Sequence, residues 1–312
     1  MKIIFMGTPD YAAAALASLI KAGHDIVTVV TMPDKPAGRG GKVRLSPVKE
    51  LALKEGLKVF QPAKVRAEDS VRILKEADAD IGVVAAFGQI LSAEALAAPR
   101  LGCVNIHASL LPRYRGASPI QQAILDGEKK TGVTIMQMDE GIDTGDIICQ
   151  REIEIAEDET GGSLFDKLTK LGAELIVSTL ELIEKGEARP VKQDTELASY
   201  AGQIRKDMGV IRWSDDAAYI ERLIRAMDPW PSAYTRLPDQ KIMKIWKAET
   251  VTGSGNKGAE TGRVCAVDKD SFTVNTGNGC LRVLEVQLEG KKRMSAADFL
   301  RGYRIQEGTA LY

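Results

Sequence analysis

The order of apolar patterns predicts an α/β protein, with a parallel sheet wound by crossover helices and then a small β-barrel. Three observations carry this. The first 110 residues alternate short β-rich apolar runs with helical stretches, the signature of strand–helix–strand units. Residues 187–205 change character, and from Ile211 a helix is followed by several short strands separated by turn residues. A chain of 312 residues also exceeds the length at which one hydrophobic core stops growing. The expected division is a domain built on the parallel sheet over 1–189, a linker over 190–205 and a barrel domain over 206–312.

In chain order, strands are expected at 3–7 (IIFMG), 26–31 (IVTVVT), 79–86 (ADIGVVAA) and 103–107 (CVNIH). Helical patterns fill Tyr11–Ala22, Pro47–Glu55 and Ala67–Ala77. Ser46 precedes Pro47, which places a capping hydroxyl before a proline at the first helical position, where the missing N–H costs nothing. After the helix-like PIQQAILDG, the runs TGVTIMQM and DIICQREIEI read as two strands flanking DEGIDTG, and a helix from about Gly162 to Lys185 ends at Gly186. The barrel strands are KIMKIWKAE, GRVCAVD, SFTVNT and CLRVLEVQL, with 252–262 as a glycine-rich loop.

Composition excludes several classes. Hydrophobic residues at 44% and charged residues at 27% fit an ordinary globular chain rather than a disordered, fibrous or membrane one. The apolar run before Gly7 is too short for a signal-peptide core or a membrane span, so a cytoplasmic location is expected. Cys103, Cys149, Cys265 and Cys280 have no metal-knuckle spacing and read as buried free thiols; no metal is expected. The net charge of −1 hides a mild asymmetry, with 23 basic against 27 acidic residues over 1–189 and 19 against 16 over 190–312. Local clustering says more: Lys35, Arg39, Lys42, Arg44 and Lys49 occur without an acid between them in a Gly/Pro-rich stretch that reads as an exposed loop.

The opening GTPDYAA follows a strand and starts a helix, yet Pro9 and Ala12 stand where a dinucleotide-binding turn needs glycines, so this turn reads as structural. The informative stretch is NIHASLLPRYRGASPI at 105–120. Asn105 and His107 are two apart near the end of an expected strand, so they share one face at the edge where open α/β sheets bind ligands. Acyl or formyl transfer to an amine needs donors for the oxyanion, a base for the ammonium proton and oriented substrates. Asn105 and His107 suit the donors. Asp139, Glu140, Asp143 and Asp146 are the carboxylate candidates, and glycines at 141 and 145 bracket Asp143 in a turn that presents it outward.

GTPDYAA, DKPAGRGGK, NIHASLLPRYRGASPIQQAI, KTGVTIMQMDEGIDTGDII, DPWP and GKKRMSAADFL together resemble the methionyl-tRNA formyltransferases, over nearly the whole chain. The resemblance implies a Rossmann-like formyltransferase domain followed by an OB-like barrel that helps hold tRNA. It implies transfer of formyl from 10-formyltetrahydrofolate to methionine on initiator tRNA, without a metal. It places the catalytic Asn, His and Asp on Asn105, His107 and Asp143, folate contacts on Ser109, Leu110, Leu111 and Pro112, and tRNA contacts on the 34–49 loop with Lys35, Arg39 and Lys42. A monomer is expected. Asp228 stands where relatives often have Asn before PWP, and the loop before Gly262 lacks a common proline. Two rival readings are a formyltransferase acting on an amino-sugar nucleotide and a non-catalytic RNA-binding protein; the intact Asn105, His107 and Asp143 oppose the second.

Overall fold

The computed structural model describes residues 1–37, 42–251 and 260–312. Two compact units emerge. The first comprises 1–119, 130–154 and 165–201, and the second 120–129, 155–164 and 202–312. The units interleave along the chain, which a single cut after residue 189 does not express.

The first unit is built on strands β1 (Lys2–Gly7), β2 (Asp25–Val30), β3 (Val59–Phe60), β4 (Ile81–Ala85), β5 (Cys103–His107), β6 (Lys130–Gln137) and β7 (Ile147–Glu154). They form one seven-stranded sheet in the order β7-β6-β5-β4-β1-β2-β3. The strands from β5 to β3 in that order run parallel, while β6 and β7 are antiparallel additions at one edge. Near-continuous apolar runs such as IIFMG, which bury Ile3, Ile4, Phe5 and Met6 completely, are what a sheet covered on both faces requires. Strand periodicity divides these side chains: Ile4, Met6, Val84 and Cys103 join Val71 and Leu74 in one cluster, with Ile3 and Phe5 on the opposite face.

The helices follow the sequence pattern closely. Helix α1 (Asp10–Lys21) follows β1, and α2 (Pro47–Lys54) starts as expected, with Ser46 Oγ accepting from Lys49 N at 3.1 Å. Helix α3 (Glu68–Glu76) supplies Val71 and Leu74 to the core. A short α4 (Ala93–Leu96) follows β4, and α5 (Pro119–Leu125) and the long α6 (Gly161–Glu184) complete the series. In the basic stretch expected as an exposed loop, Lys35–Ala37 pairs with Lys42–Arg44 as a two-stranded antiparallel ribbon. At its base the Asp34 carboxylate takes an ion pair from Lys49 and a hydrogen bond from Gln61 Nε2 at 2.9 Å, which hold it below the usual carboxylate range.

In the second unit, α7 (Ala217–Ala226) precedes an antiparallel sheet of β8 (Ala233–Arg236), β9 (Ile242–Val251), β10 (Val264–Val267), β11 (Phe272–Asn275) and β12 (Cys280–Leu288). Their order is β8-β9-β12-β11-β10, with Met294–Ser295 added beside β12 and α8 (Ala296–Gly302) after it. The C-terminal segment joins the two edges. Arg236 and Tyr312 exchange backbone bonds at 2.8 and 3.0 Å, while Leu311 N reaches Gly262 O at 2.8 Å and Val264 N reaches Thr309 O at 2.9 Å. Pairing both edges removes the exposed strand rims and gives the barrel expected from the short strands. Among the described residues, no helix is long and apolar enough to cross a membrane.

Candidate active site

Asn105 and His107 lie on the same face of β5, two residues apart, at its carboxyl end. The chain after β6 leaves beside this strand, where Met138 N bonds Cys103 O at 2.8 Å, and folds back over that face. The fold-back carries Asp143 in. Its Oδ1 lies 3.5 Å from Asn105 Nδ2 and its Oδ2 3.6 Å from His107 Nδ1. Of the acids considered, Asp143 is thus the one brought to the pair; Asp139 instead closes its own turn, accepting from Gly141 N at 3.0 Å and Thr144 Oγ1 at 2.6 Å.

The histidine and the carboxylate are each held from behind. His107 is buried, and its Nε2 lies 2.9 Å from the Tyr114 carbonyl, which only accepts, so Nε2 carries the hydrogen and Nδ1 faces Asp143. Gly116 N donates to Asp143 Oδ2 at 2.8 Å. A side chain cannot replace that glycine: its φ is 111°, and a Cβ would lie 2.6 Å from the Ala201 carbonyl oxygen. The carbonyl belongs to Tyr200–Ala201, which pairs parallel with Arg115–Gly116. Part of the stretch expected as a linker is therefore hydrogen-bonded into the first unit.

The 109–112 turn is anchored through its backbone. Thr134 Oγ1, fully buried on β6 opposite His107, donates to Ser109 O at 2.6 Å and accepts from Leu111 N at 3.1 Å. Gln150 Nε2 adds bonds to Leu111 O at 2.8 Å and to Thr134 Oγ1 at 2.9 Å. Ser109 and Leu111 point inward, the serine hydroxyl bonding Arg113 O at 2.7 Å, whereas Leu110 and Pro112 are half-buried and keep surface for a ligand. Of the basic residues proposed for tRNA, Lys35 and Lys42 lie on the two-stranded ribbon, and Arg39 lies outside the described residues. No group of three or more His, Cys, Asp or Glu suited to a metal occurs among the described residues.

Sequence reasoning missed Thr134, Gln150, Arg115 and Gln193 around the site. Their sequence signals are weak, because Thr134, Gln150 and Gln193 act on backbone groups, and Arg115 on the Gln193 side chain, that only the fold brings close.

The formyl transferase family model matches residues 1–180, and the model described as formyl transferase, C-terminal domain, matches 203–304. A methionyl-tRNA formyltransferase of Agathobacter rectalis is 50% identical over 309 residues, covering 99% of each chain. One from Caldanaerobacter subterraneus is 49% identical over 312 residues, covering 100% of each. The chain belongs to the methionyl-tRNA formyltransferase family. Among solved structures, an N-formyltransferase from Helicobacter canadensis in complex with folinic acid and dTDP-3-aminofucose superposes with a TM-score of 0.67 at 19% identity, over 94% of this chain and 100% of that one. At that identity the likeness is one of fold. For the formyltransferase family member described here, it extends the agreement beyond the catalytic sheet to nearly the whole chain.

Proposed function

We propose that the chain transfers the formyl group of 10-formyltetrahydrofolate to the amino group of methionine esterified to initiator tRNA, in the cytoplasm and as a monomer. The observation that carries this is the convergence of Asn105, His107 and Asp143, with the carboxylate 3.5 and 3.6 Å from the two potential donors. Full-length relatives named for that reaction support the choice of acceptor.

In this reading the donor substrate meets the 109–112 turn through Leu110 and Pro112, with the buried Ser109 and Leu111 holding the turn in place. Asp143 takes the proton that the methionyl ammonium must lose, directly or through a water. The freed amine attacks the formyl carbon, and Asn105 Nδ2 and His107 Nδ1–H donate to the oxygen that gains charge. Because Nε2–H is committed to Tyr114, Nδ1 donates only once the proton taken by Asp143 has passed on to it across the 3.6 Å between them, which restores the carboxylate beside the imidazolium. Collapse of the intermediate breaks its bond to N10, and the proton that the attacking nitrogen sheds goes to N10 as tetrahydrofolate leaves. The groups that take part in this chemistry lie within residues 1–189. Residues 206–312, joined through 190–205, and the 34–49 segment with Lys35, Arg39 and Lys42 hold the tRNA through its phosphates.

The test supplies purified protein with 10-formyltetrahydrofolate and methionyl initiator tRNA, omitting each in turn, and follows formylmethionyl-tRNA. Product requiring both supports the assignment. Formylation of an amino-sugar nucleotide but not of the tRNA moves the acceptor, and failure to bind folate overturns the reading.

A further inference from the structure

Asp143 reaches Asn105 and His107 from a turn that Asp139 closes from within, while the carbonyls of Asp143 and Gly145 are bonded from outside it. Its backbone is left-handed, with φ 54°, a conformation that residues other than glycine adopt sparingly and that surrounding contacts must impose. One side chain bonds the turn on both sides of this residue. Gln193 Nε2 donates to Asp143 O at 2.9 Å and to Gly145 O at 2.7 Å. The other end of the same carboxamide is fixed: Gln193 Oε1 accepts from Arg115 Nε at 3.1 Å and from Arg115 Nη2 at 2.8 Å, and that arginine is only 3% exposed. Arg115 also adjoins Gly116, whose amide holds the Asp143 carboxylate. The chain carrying Gln193 is itself tied down by the paired backbone bonds of Ile147 and Val191, both 2.8 Å.

We propose that Gln193 is a positioning residue for the reaction, a clamp that transmits the fixed orientation of Arg115 to the Asp143 turn and keeps the carboxylate on the Asn105–His107 pair. The inference rests on the reading of Asp143 as proton acceptor. Both amide hydrogens are used on carbonyls and the amide oxygen on a guanidinium, so only a side chain with both functions at this length completes the set. Glutamate keeps the acceptor for Arg115 but turns repulsive oxygen toward the two carbonyls. Methionine keeps the length and loses every bond.

The experiment measures kcat and KM for both substrates in the full chain carrying Gln193→Glu, Gln193→Met, Asp143→Asn, and the Asp143→Asn/Gln193→Glu pair, with thermal unfolding of each. Displacement of a catalytic group by about an ångström costs on the order of 100-fold in rate. Gln193→Glu is expected to lower kcat by about that factor, with both KM values and the unfolding temperature close to wild type. Gln193→Met lowers kcat similarly. Added to Asp143→Asn, Gln193→Glu is expected to cause no further loss, since it acts through a carboxylate already removed. A wild-type kcat in Gln193→Glu, or an equal further loss on the Asp143→Asn background, overturns the inference while leaving the proposed function standing. A wild-type rate in Asp143→Asn sinks the base assignment and the inference with it.

Discussion

Thr134 offers a sharp test of how the site is supported, because one hydroxyl serves two backbone groups of the 109–112 turn. Thr134→Val keeps the shape and removes the oxygen that accepts from Leu111 N and donates to Ser109 O. Thr134 is fully buried, so water cannot replace these bonds. Each buried backbone group left without a partner costs about 1–3 kcal/mol, which gives about 2–6 kcal/mol for the two. Thr134→Ser keeps the hydroxyl and deletes one methyl, at about 1 kcal/mol. At about 2–4 °C per kcal/mol, valine should lower the unfolding temperature by about 4 °C or more, and serine by about 2–4 °C. Calorimetric unfolding and titration with a folate analogue provide the readouts, and valine should also weaken folate binding by loosening the turn. Equal stability of the valine and serine variants would refute the reasoning, for it would mean that the hydroxyl bonds contribute nothing net.

Deleting residues 309–312 should reopen the barrel: it removes the backbone pairing with Arg236, Gly262 and Val264 and the buried Leu311, a loss of at least ~2 kcal/mol from the leucine alone. Trp213 reports on it, since its Nε1 bonds Thr235 Oγ1, which in turn bonds Tyr312 O; unchanged tryptophan emission and unfolding would contradict the closure. Burial pushes the Cys103 thiol up to about 12, so the reactive thiolate is scarce near neutral pH. Iodoacetamide should modify the half-buried Cys149 in the native protein and Cys103 only after denaturation, as read by peptide mass spectrometry; equal native labelling would contradict this. Arg39→Ala should raise the KM for tRNA and flatten its salt dependence, while an unchanged salt slope would remove the phosphate role.

Local pattern carried much of the fold. CVNIH was legible as a strand because its residues alternate and pack on both faces, and β5 spans those same five residues. Ser46–Pro47 marked a helix start because capping is a local bond, and that bond is present. Val59–Phe60 and Ala233–Arg236 were not legible, since strands this short are defined by their neighbours rather than by period. The Lys35–Ala37 ribbon strand contains proline and lay in a stretch whose composition reads as loop. In the site, Asn105 and His107 were visible through their spacing, and glycines around Asp143 marked its turn. The choice of Asp143 over Asp139 required the fold-back of the 138–146 segment. Gln193 lies 50 residues from the carbonyl of Asp143 in sequence, and no spacing rule joins them.

The central claim, that Asn105 and His107 stabilise the charge developing during formyl transfer, is tested most directly by single-turnover formylation of methionyl initiator tRNA by wild type, Asn105→Ala and His107→Ala, with binding of both substrates measured separately. Loss of one oxyanion donor should slow the chemical step by about 100–1000-fold in Asn105→Ala while folate and tRNA affinities stay near wild type, and His107→Ala should likewise collapse the rate. A wild-type chemical step in either variant, or a change confined to substrate affinity, would contradict the account.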